Sequence, residues 1–194
     1  MIYRLVVAPV VEPVSVDEVK VDRRITYSTD DAMIQSLIVA AREEVEDISR
    51  RRLISQTWDC LAVQWPADDY MEIGLPPLQS VTSITYIDED GTEQTFDSSN
   101  YIVDTASQPG RVWLAANSSW PSATLRPGPA ITVRFVCGYG SDPHAVPATY
   151  RHAIRSLVAT YYENRETIVV GSGLAAVQLD YVRRNLLRDR AVWS

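Results

Sequence analysis

Histidine and cysteine are nearly missing from this sequence, and with them most of the chemistry a small enzyme or metalloprotein would use. The two histidines are His144, in the loop SDPHAVP, and His152, on a predicted helix beside Arg151. Their spacing is not that of a helical metal pair, and no HExxH or CxxC occurs. Each reads as a surface or interface histidine. Cys60 and Cys137 lie far apart without metal-site spacing. They read as reduced, buried, small apolar residues of a cytoplasmic protein, a disulfide being the lesser alternative. Glycine is sparse, and CGYG and VVGSGL match neither GxxxxGK[ST] nor GxGxxG, so no phosphate cradle is visible. No GxSxG elbow is present. There is no internal repeat and no low-complexity run. The apolar stripes are too interrupted by charge to span a bilayer. The formal net charge of −7 argues against non-specific wrapping of nucleic acid, while leaving room for a local basic patch.

Carboxylates are plentiful but poorly placed for acid–base work. Asp68-Asp69 and Glu43-Glu44 are adjacent pairs that point apart and suit solvated faces. The segment DEDGTE lacks the length and spacing of a calcium-binding loop, and Asp90-Gly91 is explained as a turn. A hydrolase built on Asp68, Asp69 or His144 would need a pocket joining them, and no cofactor is implied.

What the chain does have is a soluble composition, 46% hydrophobic and 22% charged, and enough length for one well-buried core. The opening MIYRLVVAPVVEP is broken by Pro9 and Pro13 and reads as a mature N-terminus. Ser15 and Glu18 form a capping box before a short helix over about 15–25, with Val16, Val19 and Val21 inward. A second helix is predicted over 30–52. Met33, Ile34, Leu37, Ile38, Ala41, Val45 and Ile48 make its apolar stripe, and Gln35, Arg42, Glu43, Glu46 and Asp47 its polar face. Asp30 and Asp31 cap it, and Arg50, Arg51 and Arg52 close it in keeping with the helix dipole.

From Leu53 the period shortens to that of strands. LISQTWDCLAVQW, MEIGL, SVTSITYID, EDGTEQTF, YIVDT, RVWLA and ITVRFVCGYG are the candidates, with Asp90-Gly91 as a hairpin turn and SSWPSATLRPGP as a loop. Short strands joined in this way predict an antiparallel β-rich insert over about 53–140. Helix returns over 147–165, with Tyr150, Ala153, Ile154, Leu157, Val158 and Tyr161 inward. The fold class is therefore α+β: a helical hairpin at the N-terminus, an antiparallel insert and C-terminal helices. The expected organisation is one domain over 1–170 and a hinged segment over 171–194. In that last segment Arg183, Arg184, Arg188 and Arg190 crowd together near Trp193. A tail that docks on an acidic partner is the favoured reading, ahead of a solvated face and of DNA contact.

In their order and spacing, PVSVDEVKVDRRI, DDAMIQSLIVAAREEVEDISRRRLISQTWD, IGLPPLQSVTSITYIDEDGTEQTFDSSNYIVD, PGRV, ITVRFVCGYG and VPATYRHAIRSLVATYYENRE resemble the head–tail connector (adaptor) proteins of long-tailed bacteriophages, prophages and gene transfer agents. The combination of LPPLQSVTSITYID, GYG and YYENRE carries the resemblance, which covers about 13–166. It implies a structural virion protein of the head–tail neck, without catalysis, assembled in the bacterial cytoplasm. It further implies a homo-oligomeric, dodecameric ring beneath a portal protein, joined to stopper or tail-terminator proteins. DNA would pass through the lumen without sequence-specific binding, and no membrane is involved. Ring building would fall to residues 30–52 and 147–165, with Arg42, Glu46, Arg50, Arg51, Tyr162 and Arg165 at the interface. Portal docking would fall to residues 174–194, with Arg183, Arg184, Leu186, Leu187, Arg188 and Trp193 as contacts. The alternative is a DNA-binding module using the arginine-rich helix ends.

Overall fold

A computed structural model describes residues 1–163. Arg165, Arg183, Arg184, Leu186, Leu187, Arg188 and Trp193, and with them the expected hinged segment, lie outside the described residues. The fold is α+β, with three helices and eight strands among the described residues. These make two compact units. One is a β unit of Met1–Pro9 and Ser55–Tyr139; the other is a helical unit of Val10–Ile54 and, among the described residues, 140–163.

In the helical unit, α1 (Val16–Arg23), α2 (Asp31–Ser49) and α3 (Ala148–Glu163) bring their apolar faces together. The capping box forms as the sequence predicts. Ser15 Oγ accepts from the Glu18 amide at 3.1 Å, and Glu18 Oε2 accepts from the Ser15 amide at 2.9 Å. Ile34, Ile38, Ala41 and Val45 of α2 meet a buried α3 face that includes Tyr150, Ile154, Leu157 and Val158. Val19 is the buried residue of α1, whereas Val21 is 78% exposed, contrary to its predicted inward place. An eight-residue helix buries one narrow strip, and Val19 occupies it.

Two expectations for α2 are corrected. The helix stops at Ser49, and Arg50 takes the left-handed conformation (φ 55°). Asp30 occupies the N-cap position but makes no capping bond with its side chain; its Oδ2 instead accepts from the Tyr162 hydroxyl at 2.7 Å. The polar face also differs. Arg42 and Glu46, predicted on the solvated side, are buried. Their charges are satisfied inside the unit, which makes the burial tolerable.

The β unit has two sheets. The larger runs β1 (Ile2–Val7), β2 (Gln56–Ala62), β8 (Ile131–Cys137), β4 (Leu78–Ile87), β5 (Glu93–Thr95), antiparallel throughout. The smaller runs β3 (Tyr70–Ile73), β7 (Gly110–Leu114), β6 (Tyr101–Asp104), also antiparallel. Met71, Ile73 and Val112 of the smaller sheet share a core with Cys60, Ile84, Val133, Phe135 and Cys137 of the larger. Gly110 begins β7 because a Cβ there would lie 2.5 Å from the Leu78 Cβ. Cys60 and Cys137 are buried free thiols.

The opening segment, for which the sequence predicts no strand, forms the edge strand β1. Tyr3 anchors it: the ring meets Phe135 edge-on, and the hydroxyl accepts from the Gly74 amide at 2.8 Å. The Asp90-Gly91 turn forms as predicted, with the Gly91 amide donating to the Asp88 carbonyl at 3.0 Å. The loop containing Trp120 is pinned at that side chain, which stacks on Trp65 at 5.2 Å and donates to the Asp68 carbonyl.

Candidate assembly surface

Within the helical unit, Arg42 and Glu46, two of the polar residues singled out in α2, belong to a buried chain of charges. Arg42 donates to Glu12 Oε2 at 2.8 Å and to Glu46 Oε2 at 3.1 Å. Glu46 also accepts from Arg52 at 3.4 Å and, through Oε1, from the Leu53 amide at 2.8 Å. The carboxylate thus terminates the turn that follows α2. Burial pushes the Glu12 carboxyl above its usual range, with Arg42 opposing the shift. Arg51 is also buried, and Arg50 is exposed.

At the far end of α2, Tyr162 of α3 joins Asp30 and the Tyr27 hydroxyl, the latter at 3.0 Å. Burial counts little in the resulting upward shift of the Tyr162 phenol, which comes first from Tyr27 and then from Asp30. A third set centres on Arg151. It donates to the Pro13 carbonyl at 3.0 Å, pairs with Glu18 and meets His144 Nδ1 at 3.1 Å. Of the predicted ring residues in the described chain, Arg42, Glu46 and Arg51 are therefore interior, while Arg50 and Tyr162 reach the surface. Arg42 and Glu46 are brought together, and Tyr162 stands at the opposite end of α2 from Arg50.

The β unit presents a different kind of surface. Register places Arg4, Asp59, Arg134 and Ser83 in one row across β1, β2, β8 and β4. Asp59 is fully buried beneath the two guanidinium groups, accepting from Arg134 at 2.8 and 3.1 Å and from Arg4 at 2.8 Å. These bonds, Arg134 foremost, hold its carboxyl below the usual range. Both arginine heads stay open to solvent. Along the same edge strand Ile2, Leu5, Val6 and Val7 are exposed, an unusual concentration for one short strand. At the other end of the sheet the β4–β5 hairpin carries exposed Glu89, Asp90 and Glu93, with Ile87 and Leu125 half-buried beside them. Neither surface was singled out from the sequence. The β-branched and aromatic content of IYRLVV was the available signal for the first.

His144 and His152 are exposed, as are Asp68 and Asp69. Among the described residues no group of three or more His, Cys, Asp or Glu could hold a metal ion. No helix there is long and apolar enough to cross a membrane.

No protein-family model matches the chain, and no curated protein matches it. Solved structures do. A chain in the neck of an empty gene transfer agent particle, computed with C6 symmetry, superposes with a TM-score of 0.74 at 20% identity, covering 94% of this chain and 95% of that one. A chain in the virion of a native gene transfer agent particle gives the same values. A chain in the neck of a native particle, computed with C12 symmetry, gives 0.71 at 20% identity over 96% and 94%. The fold described above is thus shared, over nearly the whole length, with proteins of gene transfer agent particles.

Proposed function

We propose that this chain is a structural subunit of a virion neck, a head–tail adaptor that forms a ring beneath the portal. The observation that carries the proposal is the fold shared end to end with chains of particle necks, two of them computed with C6 and C12 symmetry. An adaptor of this kind joins the DNA-filled head to stopper or tail proteins, with DNA passing through the lumen.

The physical design suits a building block. A cyclic ring needs each subunit to offer two different, complementary surfaces. The helical unit would supply one contact through exposed Arg50 and surface-reaching Tyr162, while the interior Arg42–Glu46 pair and Arg51 hold α2 rigid behind them. Arg165, outside the described residues, would be a further ring contact. Portal docking would fall to the C-terminal segment through Arg183, Arg184, Leu186, Leu187, Arg188 and Trp193. The net charge of −7 favours a lumen that does not grip phosphates.

The test is the mass of the purified full chain in solution, alone and mixed with the portal of its particle. A ring, or a monomer that joins the portal stoichiometrically, is expected. A monomer indifferent to the portal at every concentration refutes the adaptor reading.

A further inference from the structure

We infer that neighbouring subunits meet through the two ends of the five-stranded sheet, the acidic β4–β5 hairpin of one seating on the β1 edge of the next. The inference rests on the ring reading above and specifies a contact within it. The occupant of the β1 edge is a second copy of this chain.

The two ends are complementary in charge and in apolar content. At the β1 end Arg4 projects with 63% of its side chain exposed, flanked by Ile2, Leu5 and Val7, which are 59%, 45% and 51% exposed. At the β5 end Glu89, Asp90 and Glu93 surround the half-buried Ile87 and Leu125. The pairing register puts Arg4 and Glu93 on the same face of the sheet, because Thr95, Thr85, Thr132, Leu61 and Ile2 form one row of that face and Glu93 alternates with Thr95. Two apolar centres with opposite charges at their margins are what a heterologous, ring-closing contact needs.

The contact is made by side chains and not by a continuous sheet. Strands twist by about 20–25° at each step, so carrying five strands on into the next copy would turn it by roughly 100–125°. Six- and twelve-fold rings, the symmetries of the related necks, turn each subunit by about 60° and about 30°. The hairpin tip must therefore cross the β1 edge at an angle. The irregular register between Leu5 and Val7 on β1 suits this, since a bulge discourages a regular strand from adding there.

Full-length Ile2→Cys subunits are mixed with Asp90→Cys subunits at a concentration where light scattering reports a ring, alone or on the portal, and treated with a short flexible bismaleimide. Ile2 and Asp90 are exposed, while Cys60 and Cys137 are buried and give a silent background. The expected result is at least ten-fold more cross-linked dimer in the mixture than in either variant by itself. Rings that form without cross-linking overturn this contact and leave the adaptor reading standing. Absence of any ring of the unsubstituted chain, alone or on the portal, overturns both.

Discussion

Removing the Glu46 carboxylate is expected to unfold the helical unit well before any surface substitution does. Glu46 is 2% exposed and accepts from the Leu53 amide, Arg42 and Arg52. In Glu46→Ala the Leu53 amide is left buried without that acceptor, which costs about 1–3 kcal/mol. Breaking a buried ion pair costs about 3–5 kcal/mol, but Arg42 keeps Glu12 at 2.8 Å, so the lower end applies. The total is about 4–6 kcal/mol, or a fall of about 8–24 °C in Tm for a chain of this size. Glu46→Gln retains an acceptor for Leu53 but sets an amide NH2 against the Arg42 and Arg52 donors, so its cost is about 2–3 kcal/mol, still below that of Glu46→Ala. Far-UV circular dichroism melts, which follow the three helices, are the assay. A loss below about 1 kcal/mol in Glu46→Ala would refute the view that these buried charges hold the turn after α2.

Substitutions at three further sites probe the local logic. Ser15→Ala removes half of the capping box and should cost about 1 kcal/mol, with Ser15→Asp restoring most of it in urea titrations. Glu18→Ala should cost more than Ser15→Ala, because Glu18 also pairs with Arg151. Asp59→Asn should cost about 2 kcal/mol, moderated because the heads of Arg4 and Arg134 are open to water. The folded Asp59 carboxyl titrates below its ordinary value, so its stabilisation is present above the unfolded pKa and is lost as pH falls through the folded one. Urea midpoints measured against pH should therefore fall less steeply on the acid side in Asp59→Asn than in the parent.

Features set by neighbours in sequence were legible, and those set by distant partners were not. The Ser15–Glu18 box, the stripe of α2 and the Asp90-Gly91 turn each depend on a few consecutive residues, and each appears where expected. The burial of Arg42 and Glu46 does not follow from periodicity, which sorts residues by polarity. It depends on Glu12, thirty residues before Arg42, and on a turn that aims the Leu53 amide back at the helix. β1 was hidden for the same reason: IYRLVV becomes a strand only beside β2, and Tyr3 finds Gly74 far along the chain. The insertion of β8 between β2 and β4 is likewise a matter of long-range pairing. Of the candidate contact residues, composition could pick out charged positions but not distinguish an interior ion pair from an exposed one.

That distinction bears on the competing idea of a DNA-binding module. A cation contributes to phosphate binding by releasing counterions from the nucleic acid, and it does so poorly when a carboxylate already neutralises it. Among the described residues the arginines are largely committed in this way. Arg4 and Arg134 share the single Asp59 carboxylate, which leaves one positive charge over at that edge, while Arg42 lies between Glu12 and Glu46 and Arg52 faces Glu46 and Asp47. Arg111 meets Glu72, Arg151 meets Glu18, Arg155 meets Asp22, and Arg23 meets Glu163. Even the arginine run at the end of α2, the feature that first suggested DNA, is divided: Arg51 is buried and Arg52 is paired, leaving Arg50 exposed. Phosphates would have to displace carboxylates that are held in place by the fold, against a net charge of −7. The same pairing that weakens a grip on DNA strengthens the subunit's own interior, and the adaptor proposed above would need both properties.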